Sequence, residues 1–456
     1  MTEHHAAHQS DEHSDLATAP IPKLVWRYAI PTILSMVVTG VYVAIDGMFV
    51  GHYLGEVGLA GMMLAYPVGA ILYAVGALIG MGAASLVSIN LGLKDVARAR
   101  HLLGNAFTLC LLAGTGLALL GTRWSQTILI WLGAEGEVLT SAEQYLFWYF
   151  ALGVFPVLAI AFTALLRNDG RPGFVTLVLI LSGCLNVLLD WLLIVVFPYG
   201  LAGAAIATMI CQAFTALACL QHFFTKRTRL GINWQQMRLN LDHCSNILRV
   251  GVPSFLMNLY LSIVLTLHNM AFLWVGGPIH VAAYGVVSYA EALFYLIFEG
   301  IAFGTQPLFS FNTGAKRFDR VFETLRLVII MTLVTALAGV VFIYWAPEYL
   351  VYIFAGDNSE LAPVAIEGMR LYFWGLPFEG LILVGAAFFQ AINRPKEASI
   401  LTGSKLVLIA MVLYLFAWLF GVTGVWISLA SCSLLLTIWM VYTLTKLSKK
   451  LTDPMF

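Results

Sequence analysis

The sequence predicts an all-α polytopic membrane protein, with twelve transmembrane helices divided between two six-helix lobes. Composition is the first observation behind this prediction: 60% of the 456 residues are hydrophobic and only 11% are charged. Soluble domains carry about 25% charged residues, and a soluble globule of this composition could not cover its apolar surface. The composition therefore excludes a water-soluble enzyme, a nucleic-acid-binding protein and a disordered scaffold, and it predicts that lipid surrounds the chain.

Apolar runs long enough to cross a membrane follow one another along the chain. A helix needs about 20 apolar residues to span the hydrocarbon core, and loops interrupt the runs at fairly even intervals. The predicted spans are 24–50, 58–90, 103–122, 140–166, 174–197, 201–222, 246–275, 281–310, 325–346, 362–391, 398–420 and 423–446.

The distribution of basic residues predicts the orientation of these spans. Of the 24 Lys and Arg residues, 21 lie beside the two termini or in loops that follow even-numbered spans. Only Arg123 and Arg370 lie in the opposite loops, which are acidic, and Lys405 lies inside a span. The positive-inside rule therefore predicts a multi-pass protein of the cytoplasmic membrane with both termini in the cytoplasm.

The two halves of the chain repeat one pattern at a spacing of 222 residues. Ile30-Pro31-Thr32 aligns with Val252-Pro253-Ser254, and Asn90-Leu91-Gly92 aligns with Asn312-Thr313-Gly314. Because this spacing covers six spans, the repeats run parallel about an axis along the membrane normal, an arrangement typical of transporters. The predicted division is a polar cytoplasmic tail at 1–22, an N-lobe at 23–222, a cytoplasmic inter-lobe loop at 223–245 and a C-lobe at 246–456.

Polar side chains of the first lobe form the strongest candidate site, because ionisable groups at membrane depth are costly and mark function. Asp46 lies near the outer end of the first span and Asp190 near that of the fifth, with Asn186 one turn earlier on the same face. Thr208 and Tyr145 lie at similar depth. Such a set could bind Na⁺ through oxygen atoms or hold a proton between two carboxylates. A buried structural network is the alternative interpretation.

The second lobe lacks this acidic pair, because Asp46 aligns with His268 and no acidic residue aligns with Asp190. An acidic and aromatic cavity there would suit lipophilic cations. Its candidate residues are Glu291, Glu299, Glu379 and His268. Two simpler interpretations stay open: Glu379 pairs with Lys405, and His268 is a core residue.

Pro31 stands inside the first span and predicts a bend in the helix that carries Asp46. The bend either couples the protonation of Asp46 to lobe shape or is a tolerated kink. No GxxxxGK[ST], HExxH or GxSxG motif occurs, so neither an ATPase nor a hydrolase is expected.

Several segments resemble the multidrug and toxic compound extrusion (MATE) family, and the resemblance covers residues from about 24 to 446. These segments read IP at 30–31, IDGMFVG at 45–51, RNDGRP at 167–172, NVLLD at 186–190, GAAIAT at 203–208 and QPLFSFNTGAKR at 306–317. The last is most similar to the MepA-like branch, near the DinF-like one.

The resemblance implies a secondary antiporter that expels cationic or amphipathic compounds by alternating access, in exchange for H⁺ or Na⁺. It implies no cofactor, and a monomer is expected. The ion-responsive residues of DinF-like members carry over to Asp46, Asn186, Asp190, Thr208 and Tyr145, with Tyr149 as the alternative tyrosine. NorM-type members place an acidic residue early in the seventh helix, where residues 253–268 have none, so a second-lobe Na⁺ site of that type is not expected.

Two other functions stay open at this point. A lipid or polysaccharide-precursor flippase of the same superfamily would be expected to have a strongly basic central cavity, whereas this interior is acidic. A structural or sensor protein that transports nothing would tolerate Asp46→Asn without change in efflux.

Overall fold

The computed structural model describes residues 15–225, 228, 230–355 and 360–452, and these residues form α-helices without a β-strand. The helices of the first half are α1 (Ile21–Gly92), α2 (Val96–Trp131), α3 (Gly136–Ala151), α4 (Val154–Asn168), α5 (Pro172–Asp190) and α6 (Leu201–Phe224). A π-helical turn, Trp191–Val196, extends α5. Those of the second half are α7 (Leu241–Val275), α8 (Pro278–Gly314), α9 (Phe318–Trp345), α10 (Pro347–Ala355), α11 (Leu361–Phe373), α12 (Leu376–Ala391) and α13 (Pro395–Thr452).

Two of these helices are each broken by a glycine into two spans. Helix α1 has 72 residues, far more than the roughly 20 that cross a bilayer. It reverses at Gly55, where φ is 66° and ψ is −158°, and α13 reverses at Gly421, where φ is 58° and ψ is −137°. Only glycine adopts such backbone angles readily. Helix α1 therefore contains spans 1 and 2, and α13 contains spans 11 and 12.

Two other spans are bent pairs of shorter helices. Helices α3 and α4 meet at 55° and together form span 4, and α11 and α12 meet at 49° and form span 10. Spans 3 and 5–9 are single helices, namely α2, α5 with its π-helical turn, and α6–α9. The described residues thus contain the twelve spans that the hydropathy pattern predicts, and the predicted fold class is confirmed.

The turns of the two lobes occupy equivalent positions. Residues with positive φ occur in pairs close to 222 residues apart, namely Gly55 and Gly277, Lys94 and Lys316, Gly170 and Asn393, and Gly200 and Gly421. The two bends, in spans 4 and 10, repeat at the same spacing. Both lobes therefore follow one backbone path, as expected of a parallel repeat.

The lobes meet through glycines at one end of the bundle. We call this the basic end, where odd-numbered spans begin and where the basic loops lie. A Cβ atom on Gly251 in span 7 would overlap the carbonyl oxygen of Leu78 in span 2, and one on Gly82 would overlap that of Ile247. The repeat reproduces this crossing, because Gly304 in span 8 packs as tightly on Tyr28 in span 1.

Closer still to the basic end, Gly92 and Gly314 lie against each other's helix, and both are equivalent positions of the repeat. Gln306 adds hydrogen bonds between the lobes there. Its Nε2 donates to Ser85 Oγ at 2.5 Å, and its Oε1 accepts from Asn168 Nδ2 at 3.2 Å. The two lobes are therefore sealed together at the basic end.

The inter-lobe loop packs on span 3. Asn105 Oδ1 accepts a hydrogen bond from Asn240 N at 2.8 Å, and Thr108 Oγ1 donates to Met237 O at 2.8 Å. The division of the chain at residues 222 and 246 stays a prediction, and the first fourteen residues of the predicted tail lie outside the described part of the chain.

We expect Gly55→Ala to destabilise the fold and Gly47→Ala to leave it unchanged or slightly more stable. No atom lies within 4 Å of a Cβ built at either position, so backbone angle alone separates them. A side chain at the Gly55 angles costs about 1–3 kcal/mol, whereas alanine is favoured over glycine inside a helix by about 0.5–1 kcal/mol. Thermal unfolding in detergent measures both, and equal melting temperatures would contradict the reversal at Gly55.

Candidate functional site

The outer halves of spans 1 and 5 bring Asp46 and Asp190 together in the first lobe. The two residues are 6% and 0% exposed, and they are close enough for their charges to act on each other. Asp46 Oδ1 and both carboxylate oxygens of Asp190 have no hydrogen-bond partner. The side chains predicted to form a pair therefore lie buried, adjacent and unsatisfied.

The other predicted members of this site surround the pair. Asn186 lies one turn before Asp190, and neither its Oδ1 nor its Nδ2 has a hydrogen-bond partner. Tyr145 is buried and lies within electrostatic range of both aspartates. Thr208 is buried on α6, one turn before Cys211, whose sulfur is within electrostatic range of the same two aspartates. The sequence prediction thus brought together residues that the fold places in one region.

An uncompensated carboxylate pair needs a proton or a cation, because burying unpaired charge costs many kcal/mol. In the described part of the chain no Lys, Arg or His forms an ion pair with either aspartate. No group of three or more His, Cys, Asp or Glu side chains is arranged there to hold a metal. Protons can neutralise the pair directly, and Na⁺ would need additional oxygen ligands from amide, hydroxyl or carbonyl groups.

Sequence reasoning missed a tyrosine cluster beside this pair. Tyr145 and Tyr149 stack with centroids 5.3 Å apart, and the Tyr149 ring lies 6.5 Å from that of Tyr73. Gln212 Nε2 donates a hydrogen bond to the Tyr73 hydroxyl at 3.0 Å. The spacing of Tyr145 and Tyr149 by one helical turn is the one signal in the sequence, and both tyrosines that the resemblance offered belong to the cluster.

A hydrogen bond at Pro31 connects the two helices that carry the aspartates. Thr176 Oγ1 in span 5 lies 2.7 Å from the Pro31 carbonyl oxygen in span 1 and donates to it. Immediately after Asp190, the chain forms the π-helical turn, a rare element that occurs frequently at functional sites. Movement of span 1 at its proline is thus connected directly to span 5.

In the second lobe, Glu379 and Lys405 form an ion pair, as the simpler interpretation held. Lys405 Nζ lies 2.5 Å from Glu379 Oε2, and the two side chains are 7% and 12% exposed. Ser433 Oγ donates to the other carboxylate oxygen. The ammonium also lies 3.8 Å from the centroid of the Tyr260 ring.

Glu291 lies in the same lobe and has a different environment. The Tyr372 hydroxyl donates to Glu291 Oε2 at 2.6 Å. His268 lies behind Tyr372, fully buried, and stacks on Tyr284 at 4.9 Å with its Nδ1 2.9 Å from Val264 O. His268 therefore belongs to an aromatic core cluster beside Glu291.

Glu299 is separate from these residues and faces the first lobe. Its nearest charge is that of Arg167 at the end of α4, which is buried and whose Nη1 has no hydrogen-bond partner. The pair is not in ion-pair contact. Glu299 thus serves the boundary between lobes, and the sequence gave no signal for its partner because the two residues are far apart in the chain.

Comparison with known proteins agrees with this architecture. The MatE family model matches residues 31–192 and again 253–416, two stretches that begin 222 residues apart. The multidrug export protein MepA of Staphylococcus aureus (strain MSSA476) is 26% identical over 407 residues, which cover 89% of this chain and 90% of MepA.

Two solved structures superpose over nearly the whole chain. An outward-facing multidrug resistance MATE family transporter of the MOP superfamily matches with a TM-score of 0.90 and 25% identity, covering 96% of this chain and 98% of that one. A MATE protein in complex with MaL6 matches with a TM-score of 0.89 and 25% identity, covering 95% and 99%. With the family model matched in both halves and one fold over both lobes, the chain belongs to the MatE family of secondary transporters and is not an enzyme.

Proposed function

We propose that this protein expels cationic or amphipathic compounds in exchange for H⁺ or Na⁺, by alternating access between its lobes. The observation that carries the proposal is the buried pair Asp46 and Asp190, whose oxygen atoms lack partners. Similarity to a multidrug export protein supports the class of cargo. The carboxylates supply the binding site for the driving ion.

Exchange requires that ion and cargo favour opposite states of the lobes, because a ligand shifts an equilibrium only through its differential affinity. Neutralising the pair removes the repulsion between two buried like charges and so favours closer packing of spans 1 and 5. The hydrogen bond from Thr176 to Pro31 would transmit that change to the proline bend. Membrane potential alone supplies about 2.3 kcal/mol per charge per 100 mV.

The basic end is proposed to face the cytoplasm, with both termini on that side of the cytoplasmic membrane. The lobes are sealed at this end by the glycine crossings and by Gln306. The structure would then represent the state open to the outside, and its similarity to an outward-facing transporter supports this assignment.

A flippase of phosphate-bearing lipids is not supported by the charges inside the spans. Lys405 is paired with Glu379, and the charge nearest to Arg167 is that of Glu299. Neither cation is available for a phosphate without displacing its carboxylate.

Everted membrane vesicles loaded with ethidium test the proposal. Imposed singly, either a pH gradient or a Na⁺ gradient should drive ethidium uptake at least ten-fold above vesicles without the protein, and this identifies the ion. Collapsing the effective gradient with an ionophore should return uptake to background. No uptake with either gradient, in vesicles that contain the folded protein, would contradict ion-coupled export.

A further inference from the structure

A pocket in the second lobe combines two carboxylates with aromatic walls. It has about 390 Å³ of free volume, and its lining includes Glu291, Glu379, Tyr295, Phe298, Tyr372 and Phe373. Small-molecule sites are typically about 300–1,000 Å³ and mostly apolar with a few polar groups. The pocket therefore has the size and lining of a site for a small organic guest.

One of the two carboxylates is already neutralised from within the protein. Glu379 accepts from Lys405 and Ser433, and Lys405 lies on the face of the Tyr260 ring. Lys405 lines a neighbouring pocket of about 310 Å³, and Tyr295 belongs to both linings. The ammonium thus reaches Glu379 from the far side and leaves the first pocket open.

The other carboxylate has no internal cation. Glu291 is 8% exposed, and its recorded hydrogen bond is the one from the Tyr372 hydroxyl to Oε2. No ion pair with Glu291 occurs among the described residues. Two carboxylates and one ammonium leave the pocket one positive charge short of neutrality.

Building on the proposed export function, we propose that this pocket is a subsite for one singly charged organic cation, which Glu291 receives because Lys405 occupies Glu379. The faces of Tyr295, Tyr372 and Phe298 would contribute cation–π and apolar contacts. A dication would leave an unpaired positive charge in a dry site, where such a charge is costly. Lys405 thereby limits the charge of the guest.

The test measures equilibrium binding to the purified full-length protein with no ion gradient. Its probes are methylphenylpyridinium, a monocation, and methyl viologen, a dication of nearly the same shape. The wild type should bind the monocation at least ten-fold more tightly. Glu291→Gln should weaken binding of the monocation at least ten-fold.

Lys405→Met should shift the ratio of the two affinities toward the dication by at least ten-fold, because Glu379 then becomes available. Lys405→Arg keeps the internal cation and should restore the wild-type ratio, which a purely structural role of Lys405 would not require. Lys396→Met, at an exposed position of the same helix, is the matched control and should leave the ratio unchanged.

Equal affinity of the wild type for both probes, or an unchanged ratio in Lys405→Met, would overturn the proposal. Failure of the subsite is distinguishable from failure of ion coupling. An unchanged affinity ratio with gradient-driven efflux intact removes only the subsite, whereas the expected ratios without gradient-driven efflux remove only the coupling.

Discussion

Asp46→Asn and Asp190→Asn should each reduce gradient-driven ethidium transport at least ten-fold, to near background. Asparagine keeps the size of the side chain but cannot exchange a proton, and it removes the charge that attracts Na⁺. Both aspartates are buried with partnerless oxygen atoms, so no other described carboxylate of this lobe can replace them. The measurement is the initial rate in everted vesicles, normalised to the amount of inserted protein.

Asp319→Asn is the matched control, because it removes a carboxylate that is 65% exposed in its side chain and pairs with Arg317 outside the spans. Its transport rate should equal that of the wild type. Thermal unfolding separates coupling from structure: removing an uncompensated buried charge should preserve or raise stability, whereas breaking a satisfied network should lower it. Wild-type transport in both aspartate variants would refute the proposed mechanism.

Gly251→Ala should produce the second large effect, disrupting the seal between the lobes. The added Cβ would overlap the Leu78 carbonyl oxygen, a backbone atom that cannot rotate away. Overpacking costs about 1–3 kcal/mol even where side chains can adjust, so we expect a strongly lowered melting temperature. The lobes can relieve the overlap only by separating at the basic end.

Gly116→Ala is its control, because a Cβ at Gly116 meets no atom within 4 Å. Cys244, which is buried at the basic end, reports separation of the lobes. In a variant that keeps only this cysteine, a water-soluble maleimide should react at least ten-fold faster when Gly251 is alanine. Identical melting and labelling in the two alanine variants would show that spans 2 and 7 do not cross closely.

The sequence was sufficient to predict the twelve spans and their repeat because both depend on local composition. A run of apolar residues must cross the membrane whichever neighbours it has. Asp46 and Asp190 could be found for the same reason, since a carboxylate in such a run is conspicuous. Depth along each helix then placed Asn186, Thr208 and Tyr145 near them.

Partnerships between distant helices could not be predicted, because they depend on how each helix is rotated toward its neighbours. Hydropathy does not fix that rotation when lipid and protein interior are equally apolar. The Arg167–Glu299 approach and the Tyr73–Gln212 hydrogen bond belong to this class. Sequence left the Glu379–Lys405 pair as one of two alternatives, and only the fold distinguished them.

The π-helical turn after Asp190 has a consequence for how the two halves diverged. Thirty residues separate Gly170 from Gly200 in the first lobe, whereas twenty-eight separate the equivalent Asn393 from Gly421. A π-helical turn accommodates surplus residues without interrupting a helix, and it lies within the longer stretch. Descendants of one duplicated gene therefore differ here in length as well as in chemistry, and an insertion beside Asp190 accompanied the specialisation of one copy for ions.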